Sequence, residues 1–418
     1  MIPSEPVSPK PPPHDPEGKP KLKRALSWPL LSLYGLGVTL GAGIYVLVGA
    51  TAAQAGIYAP VSFLIAAAIV GVTVLSYIEL ATRYPVSSGA AAYVEAGFRR
   101  PWLTTSIGLL IALSGIVSAS AVAIGAGGYL SGLTGLPVPL LAIVTVVVMG
   151  SLAAWGISES VTAATVITLI EVAGLLLVIG WSFAGPSPTI ISAVDLLPPL
   201  EMTNWFGIFA ASTLAFFAFI GFEDMASVAE EVKDPRRAYP RAVILTLVVS
   251  TLLYILTTIA VISTIPIDTL AGSSSPLMLV FGNAPTILRE AFGVIAVVAT
   301  VNGILVQIIM ASRMIYGMAD RGYLPKPFAS VSERTQTPLL ATAAVVLVII
   351  ALSQLFPIEL LAERTSQIVL VTFVLVNISL LRVKLREEGA PKECFVVPPF
   401  VPAIGALACA LLLFSGLL

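Results

Sequence analysis

Apolar positions in this chain form long uninterrupted runs, and polar positions are confined to the stretches between them. Each run can cross about 30 Å of hydrocarbon, at roughly 20 residues a crossing. The runs fall at about 28–53, 59–82, 102–130, 138–156, 160–184, 205–231, 240–265, 285–318, 338–356, 359–381 and 395–417, eleven in all. Lipid offers no partner to an unpaired backbone amide, and the period-two alternation of a barrel is absent, so all eleven are predicted to be helices.

Charge then orients the runs. Lysine and arginine gather before span 1 and after spans 2, 6, 8 and 10, which places 20 of the 22 basic residues on one side. Only Arg289 and Arg364 fall on the other. The excess of basic residues in cytoplasmic loops predicts a cytoplasmic N-terminus and an outside C-terminus.

Composition narrows the chemistry. Of 418 residues, 57% are hydrophobic and 11% charged, with a mean hydropathy of +0.98. A soluble domain carries roughly 25% charge, so the chain reads as an all-α integral membrane protein. The one histidine, His14, lies in the polar, Pro-rich stretch MIPSEPVSPKPPPHDPEGKPKLKR. That removes histidine triads, zinc sites and haem ligation from the membrane region, and no cofactor is expected. Cys394 and Cys409 have no metal spacing, and a net charge of −1 leaves no nucleic-acid footprint. Residues 1–26 read as a disordered cytoplasmic tail without a signal-peptide pattern, and 27–418 as the membrane domain.

Two spans carry interruptions. Span 1, LLSLYGLGVTLGAGIYVLVGATAAQAG, has Gly41-Ala42-Gly43 near mid-membrane. Span 6, NWFGIFAASTLAFFAFIGFEDMASVAEEV, has Gly221 at its centre, followed by Glu223 and Asp224. Gly-interrupted segments at matching positions of two halves point to a transporter binding site. An offset of five spans makes the repeat inverted: 27–185 is the first half, 204–384 the second, and 393–418 an extra helix 11. Unwinding exposes N–H groups that receive an anion and C=O groups that receive a cation. A substrate bearing carboxylate and ammonium on one carbon satisfies both.

These segments resemble the amino-acid permeases of the amino acid–polyamine–organocation superfamily, especially the cationic amino-acid transporter branch. The matching stretches are GVTLGAGIYVLVG, YIELATRYPVSSGAAAYVEAGF, FFAFIGFEDMASVAEEVKDPRRAYPRA, ASRMIYGMADRGYLP and VLVNISLLRVKLREEGAPKECFVVP, running from about residue 25 to 400. The resemblance implies a LeuT-like 5+5 inverted-repeat fold with discontinuous helices 1 and 6. It also implies a carrier of amino acids or their amines, either proton-coupled or exchanging. By that resemblance the amides of Ala42 and Gly43 hold the substrate carboxylate, within the Gly41–Ile44 break. The carbonyls of Thr39, Phe217 and Ile220, beside Gly221, take the ammonium. Phe217 falls where related exchangers place an aromatic gate, and Gln307 where they face the substrate side chain. Three departures stand out: eleven spans rather than twelve, no acid in span 3, and Glu171 where proton-coupled relatives carry a lysine in span 5.

A carboxylate in mid-span costs about 2.5–3.5 kcal/mol on insertion scales. Glu171 is therefore expected to carry the coupling proton beside the span 1 break, the alternative being a structural acid that hydrogen-bonds freed backbone. Glu223 is read as a second proton-responsive or cation-facing group, with capping of the second half-helix as the alternative, and Asp224 as a helix cap. Glu79 and Arg83 form an i,i+4 pair. The expected function is plasma-membrane amino-acid transport by alternating access, with proton symport first and exchange second. A non-transporting sensor and a channel are the further readings, and an enzyme is disfavoured by the lack of a nucleophile–base cluster in the spans.

Overall fold

The computed structural model describes residues 24, 26–41, 43–86, 89–156, 161–184, 195–386, 389, 391 and 393–415. The first span is built from α1 (Trp28–Leu40) and α2 (Gly43–Ala55), and the second is α3 (Ala59–Arg83). A short α4 (Gly89–Phe98) leads into α5 (Pro101–Thr134), α6 (Val138–Trp155) and α7 (Val161–Ala184). The second half opens with α8 (Met202–Phe217), continued by a 3-10 helix over Phe222–Glu231. It proceeds through α9 (Pro235–Thr264), two short helices α10 (Ile267–Ala271) and α11 (Pro276–Leu279), then α12 (Thr286–Asp320), α13 (Leu339–Leu355) and α14 (Ile358–Leu385). The last is α15 (Phe400–Ser415). Among the described residues, eight stretches are long and apolar enough to cross a membrane, and α1, α13 and α15 are shorter apolar helices.

Local sequence accounts for the starts. Proline stands in the first turn of α1, α3, α5, α6 and α9, where its missing N–H is an orphan donor in any case. Gly135 and Gly156 end α5 and α6 in the left-handed conformation, the usual helix stop.

The helices sort into two packed groups. α1, α2, α3, α8 and α9 pack among themselves, while α5, α6, α12 and α13 form the other group. α7 reaches from α1 and α9 to α12, and α14 packs on both α5 and α8. The pairing of spans 5 and 10 as connecting arms is the symmetry expected of a five-plus-five repeat, and the fold is that of an all-α, inverted-repeat transporter.

At the basic face, three chain segments are tied by buried charge. Glu79 on α3 is fully buried and holds Arg83 at 2.7 Å and Lys384, at the end of α14, at 2.7 Å. Its carboxylate also accepts the Val397 amide at 2.8 Å, while Lys384 donates to the Val397 carbonyl at 2.6 Å. Deeper, Asn377 of α14 accepts from Ser76 at 2.7 Å and donates to Thr73 at 3.0 Å. Such interhelical polar contacts replace a hydrophobic driving force that lipid cannot supply. Near the chain start, Leu26, at the end of the segment read as tail, is buried and pairs its backbone with Glu231 and Lys233.

Candidate substrate site

Both interruptions are real breaks, and they touch. α1 stops at Leu40 and α2 resumes at Gly43; α8 stops at Phe217, and residues 218–221 turn before the 3-10 helix begins. A Cβ on Gly43 would run into the Cα of Ala218, and Gly221, at φ +121°, has no room for one against the Val38 carbonyl. Only glycine lets the two backbones approach this closely. Tyr254 of α9 spans the crossing: its hydroxyl lies 2.6 Å from the Thr39 carbonyl and 2.7 Å from the Ala218 carbonyl.

A cavity of about 380 Å³ opens beside the crossing, a size ordinary for a small-molecule site. Thr39, Gly41 and Gly43 line it from the first break, Phe217 and Ile220 from the second, and Gln307 from α12. Ser118 and Val122 of α5 face these across the cavity, with Asn302 and Val306 beside Gln307. Gly115 lets α5 close on Gln307, since a Cβ there would stand 2.8 Å from its Oε1. The Thr39 hydroxyl is buried and, among the described residues, has no hydrogen-bond partner, which leaves it available to a ligand. Towards the basic end the cavity is lined by Asp224, Glu231 and Arg313.

Not every predicted residue meets this cavity. Ala42 lies outside the described residues. Ile44, one residue into α2, is fully buried in the core and does not line the cavity, and the backbone of Gly221 is turned against Val38. On α5, Ser118 lines the site, whereas Ser114 donates its hydroxyl to the Ile111 carbonyl of its own helix.

The acids divide differently from the sequence-based assignment. Glu223 accepts the Gly221 amide at 2.9 Å and so caps the 3-10 helix, whereas Asp224 lines the cavity. Glu171, on α7, is fully buried, and its Oε1 would stand 3.5 Å from a Cβ on Gly41, so the carboxyl adjoins the first break. The Glu171 carbonyl accepts the Tyr45 hydroxyl at 2.7 Å, and Thr168, one turn earlier, donates to the Leu33 carbonyl at 3.2 Å. These two bonds dock α7 on both halves of span 1.

Tyr254 and Arg313 were missed from the sequence. A tyrosine within an otherwise apolar run was the available signal for the first, because a hydroxyl in hydrocarbon needs a partner. Arg313 looked like one more loop cation.

Comparison with known proteins accords with this architecture. Residues 26–418 match the amino acid permease family. A branched-chain amino acid permease of Bacillus subtilis is 29% identical over 428 residues, covering 95% of this chain and 89% of the relative. The vacuolar cationic amino acid transporter 2 of Arabidopsis thaliana is 33% identical over 86% of this chain, which spans 60% of that relative's length. A methylthioribose transporter of Bacillus subtilis is 27% identical over 94% of this chain and 88% of its own. Carriers rather than enzymes make up this set, and the chain belongs to the amino acid permease family.

Proposed function

We propose that this protein is a secondary active transporter that takes up amino acids across the plasma membrane in symport with protons. The observation that carries the reading is the meeting of the two helix breaks on one cavity, with the carboxyl of Glu171 against the first of them. The substrate carboxylate docks on the amides of Ala42 and Gly43, and the start of α2 at Gly43 turns the positive end of a helix dipole towards it. Its ammonium meets the carbonyls of Thr39, Phe217 and Ile220, and its side chain projects towards Ser118, Val122 and Gln307. Phe217 closes over the occupied site. The group of α1, α2, α3, α8 and α9 then rocks against α5, α6, α12 and α13, exposing the same site to each side in turn.

Glu171 takes up a proton from the acidic side and releases it on the other, so that its charge state is linked to the geometry of span 1. An acid placed where the break must open and close biases the two conformations differently in its charged and neutral forms. Glu223 contributes by holding the second break through its cap on Gly221. The N-terminus faces the cytoplasm.

The test uses purified protein in liposomes, an inward proton gradient, and a panel of labelled amino acids and amines. Accumulation that follows the gradient, and is lost in Glu171→Gln, is the expected result. Uptake that requires unlabelled substrate inside and ignores the gradient makes the protein an exchanger and Glu171 a structural acid.

A further inference from the structure

A second cavity, about 650 Å³ and so larger than the one at the breaks, lies where α4, the start of α5 and the end of α12 meet. Its floor is apolar, with Val86, Met314 and Met318, and its rim carries Glu95, Arg321 and Tyr323. Among the described residues neither Glu95 nor Arg321 enters an ion pair. Pro101 and Thr105 bring the first turn of α5 to the cavity wall, so the positive end of a 34-residue helix faces it. Arg99 and Arg100 immediately precede that turn, and Lys326 follows Arg321 by one short loop. Glu95 and Arg321 are the charged residues that line the cavity, and within a few positions of its wall Arg99, Arg100 and Lys326 outnumber Asp320.

The cavity also borders the bilayer. Trp102 is 66% exposed and Tyr323 53%, the positions and residue types of an interfacial aromatic belt. Leu109 and Leu113 continue the exposed face of α5 about two and three turns from Trp102 towards the membrane interior.

We propose that this cavity binds an anionic phospholipid with a polyol headgroup, of which phosphatidylglycerol is the probe. Its phosphate lies against Arg321 and the first turn of α5, since basic pockets between helices at the charged face of a membrane protein select anionic lipid. The headgroup hydroxyls donate to Glu95, which a bare phosphate would not satisfy. Glycerol and the first methylenes cover Met314 and Met318, whose flexible side chains adapt to an irregular chain. Spacing along α12 ties the two cavities together: Gln307, Met310 and Arg313 line the first, and Met314, Met318 and Arg321 continue the helix into the second. The lipid grips the helix that forms one wall of the substrate cavity.

The experiment follows purified full-length protein by native mass spectrometry and thermal unfolding in detergent. The additions are phosphatidylglycerol, phosphatidylcholine, or soluble glycerol phosphate. One retained phosphatidylglycerol with a raised unfolding temperature is expected, reduced at least several-fold in Arg321→Gln and in Thr105→Trp, which fills the cavity. Arg334→Gln, at a basic position that does not line the cavity, retains the lipid. Equal retention of phosphatidylcholine, or unchanged retention in Arg321→Gln, overturns the proposal. Equal stabilisation by glycerol phosphate overturns it in favour of a free-anion site. Because Arg321→Gln alters only a rim side chain, the test survives if Thr105→Trp does not fold.

Discussion

The hydroxyl of Tyr254 stands 2.6 Å from the carbonyl of Thr39, and the Ala218 carbonyl lies 2.7 Å from the same oxygen. One O–H can donate to only one of them at a time, so the two broken spans share a single proton donor from α9. Removing the hydroxyl leaves both buried carbonyls short of a partner, a loss of about 1–3 kcal/mol. Tyr254→Phe is expected to lower the unfolding temperature and to weaken substrate binding at the Thr39 carbonyl. Thermal unfolding with and without substrate measures both effects, and a variant indistinguishable from the native protein would dissolve the bridging role.

Close approach of the breaks makes a second expectation. A methyl at position 43 has no space beside Ala218, and overpacking of this kind costs about 1–3 kcal/mol. Gly43→Ala is expected to fold but to hold the two breaks apart. Transport should fall by at least tenfold while the elution profile on size exclusion stays monodisperse.

How far these features were legible from sequence depends on what each one needs. The breaks were readable because unwinding in hydrocarbon demands small residues and freed polar groups, and Gly41, Gly43 and Gly221 stand at matching places in the two halves. The division of labour between Glu223 and Asp224 was not. Adjacent acids point in directions set by the local winding, and a 3-10 helix turns about 120° per residue rather than about 100°. The chain takes the 3-10 form over Phe222–Glu231, which aims Glu223 back at Gly221 and Asp224 into the cavity. The charge alternation along the chain says nothing of the partner that Lys384 takes. Its partner Glu79 lies 305 residues earlier, a distance that periodicity does not bridge.

That pairing sets an order of stability. Glu79 compensates two cations, Arg83 and Lys384, and caps the Val397 amide. Removing one partner of a buried pair costs about 3–5 kcal/mol because it strands the other charge. Glu79→Gln strands two cations, whereas Lys384→Met leaves Glu79 still paired with Arg83. The glutamate variant should therefore unfold at the lower temperature of the two, and equal or reversed midpoints would show that the cluster is held together by something other than Glu79.

Three tyrosines near the same face invite the opposite change. Tyr77, Tyr93 and Tyr239 are buried, and among the described residues their hydroxyls have no hydrogen-bond partner. The rings do the packing, with Tyr77 and Tyr93 edge-to-face at 5.9 Å. A buried hydroxyl without a partner is unfavourable by about 1–3 kcal/mol relative to an apolar group of the same shape. Tyr93→Phe is accordingly expected to unfold at an equal or higher temperature than the native protein with transport retained. A clear fall in midpoint would reveal a hydrogen bond made in another conformation of the carrier.

Orientation is settled by chemical accessibility. Gly272, in the exposed turn between α10 and α11, lies on the side opposite the basic loops, and Arg334 lies in the loop between α12 and α13 on the basic side. The native thiols interfere little. Cys409 is buried, while Cys394 is half-buried, donates to the Thr82 carbonyl at 3.1 Å, and has its pKa pushed up by burial. A raised pKa leaves less thiolate, the reactive form, at neutral pH. In a Cys394→Ser background, a membrane-impermeant maleimide should label Gly272→Cys in intact cells and Arg334→Cys only after permeabilisation. The reverse pattern would place the 20 clustered basic residues outside, against the charge asymmetry that orients membrane helices.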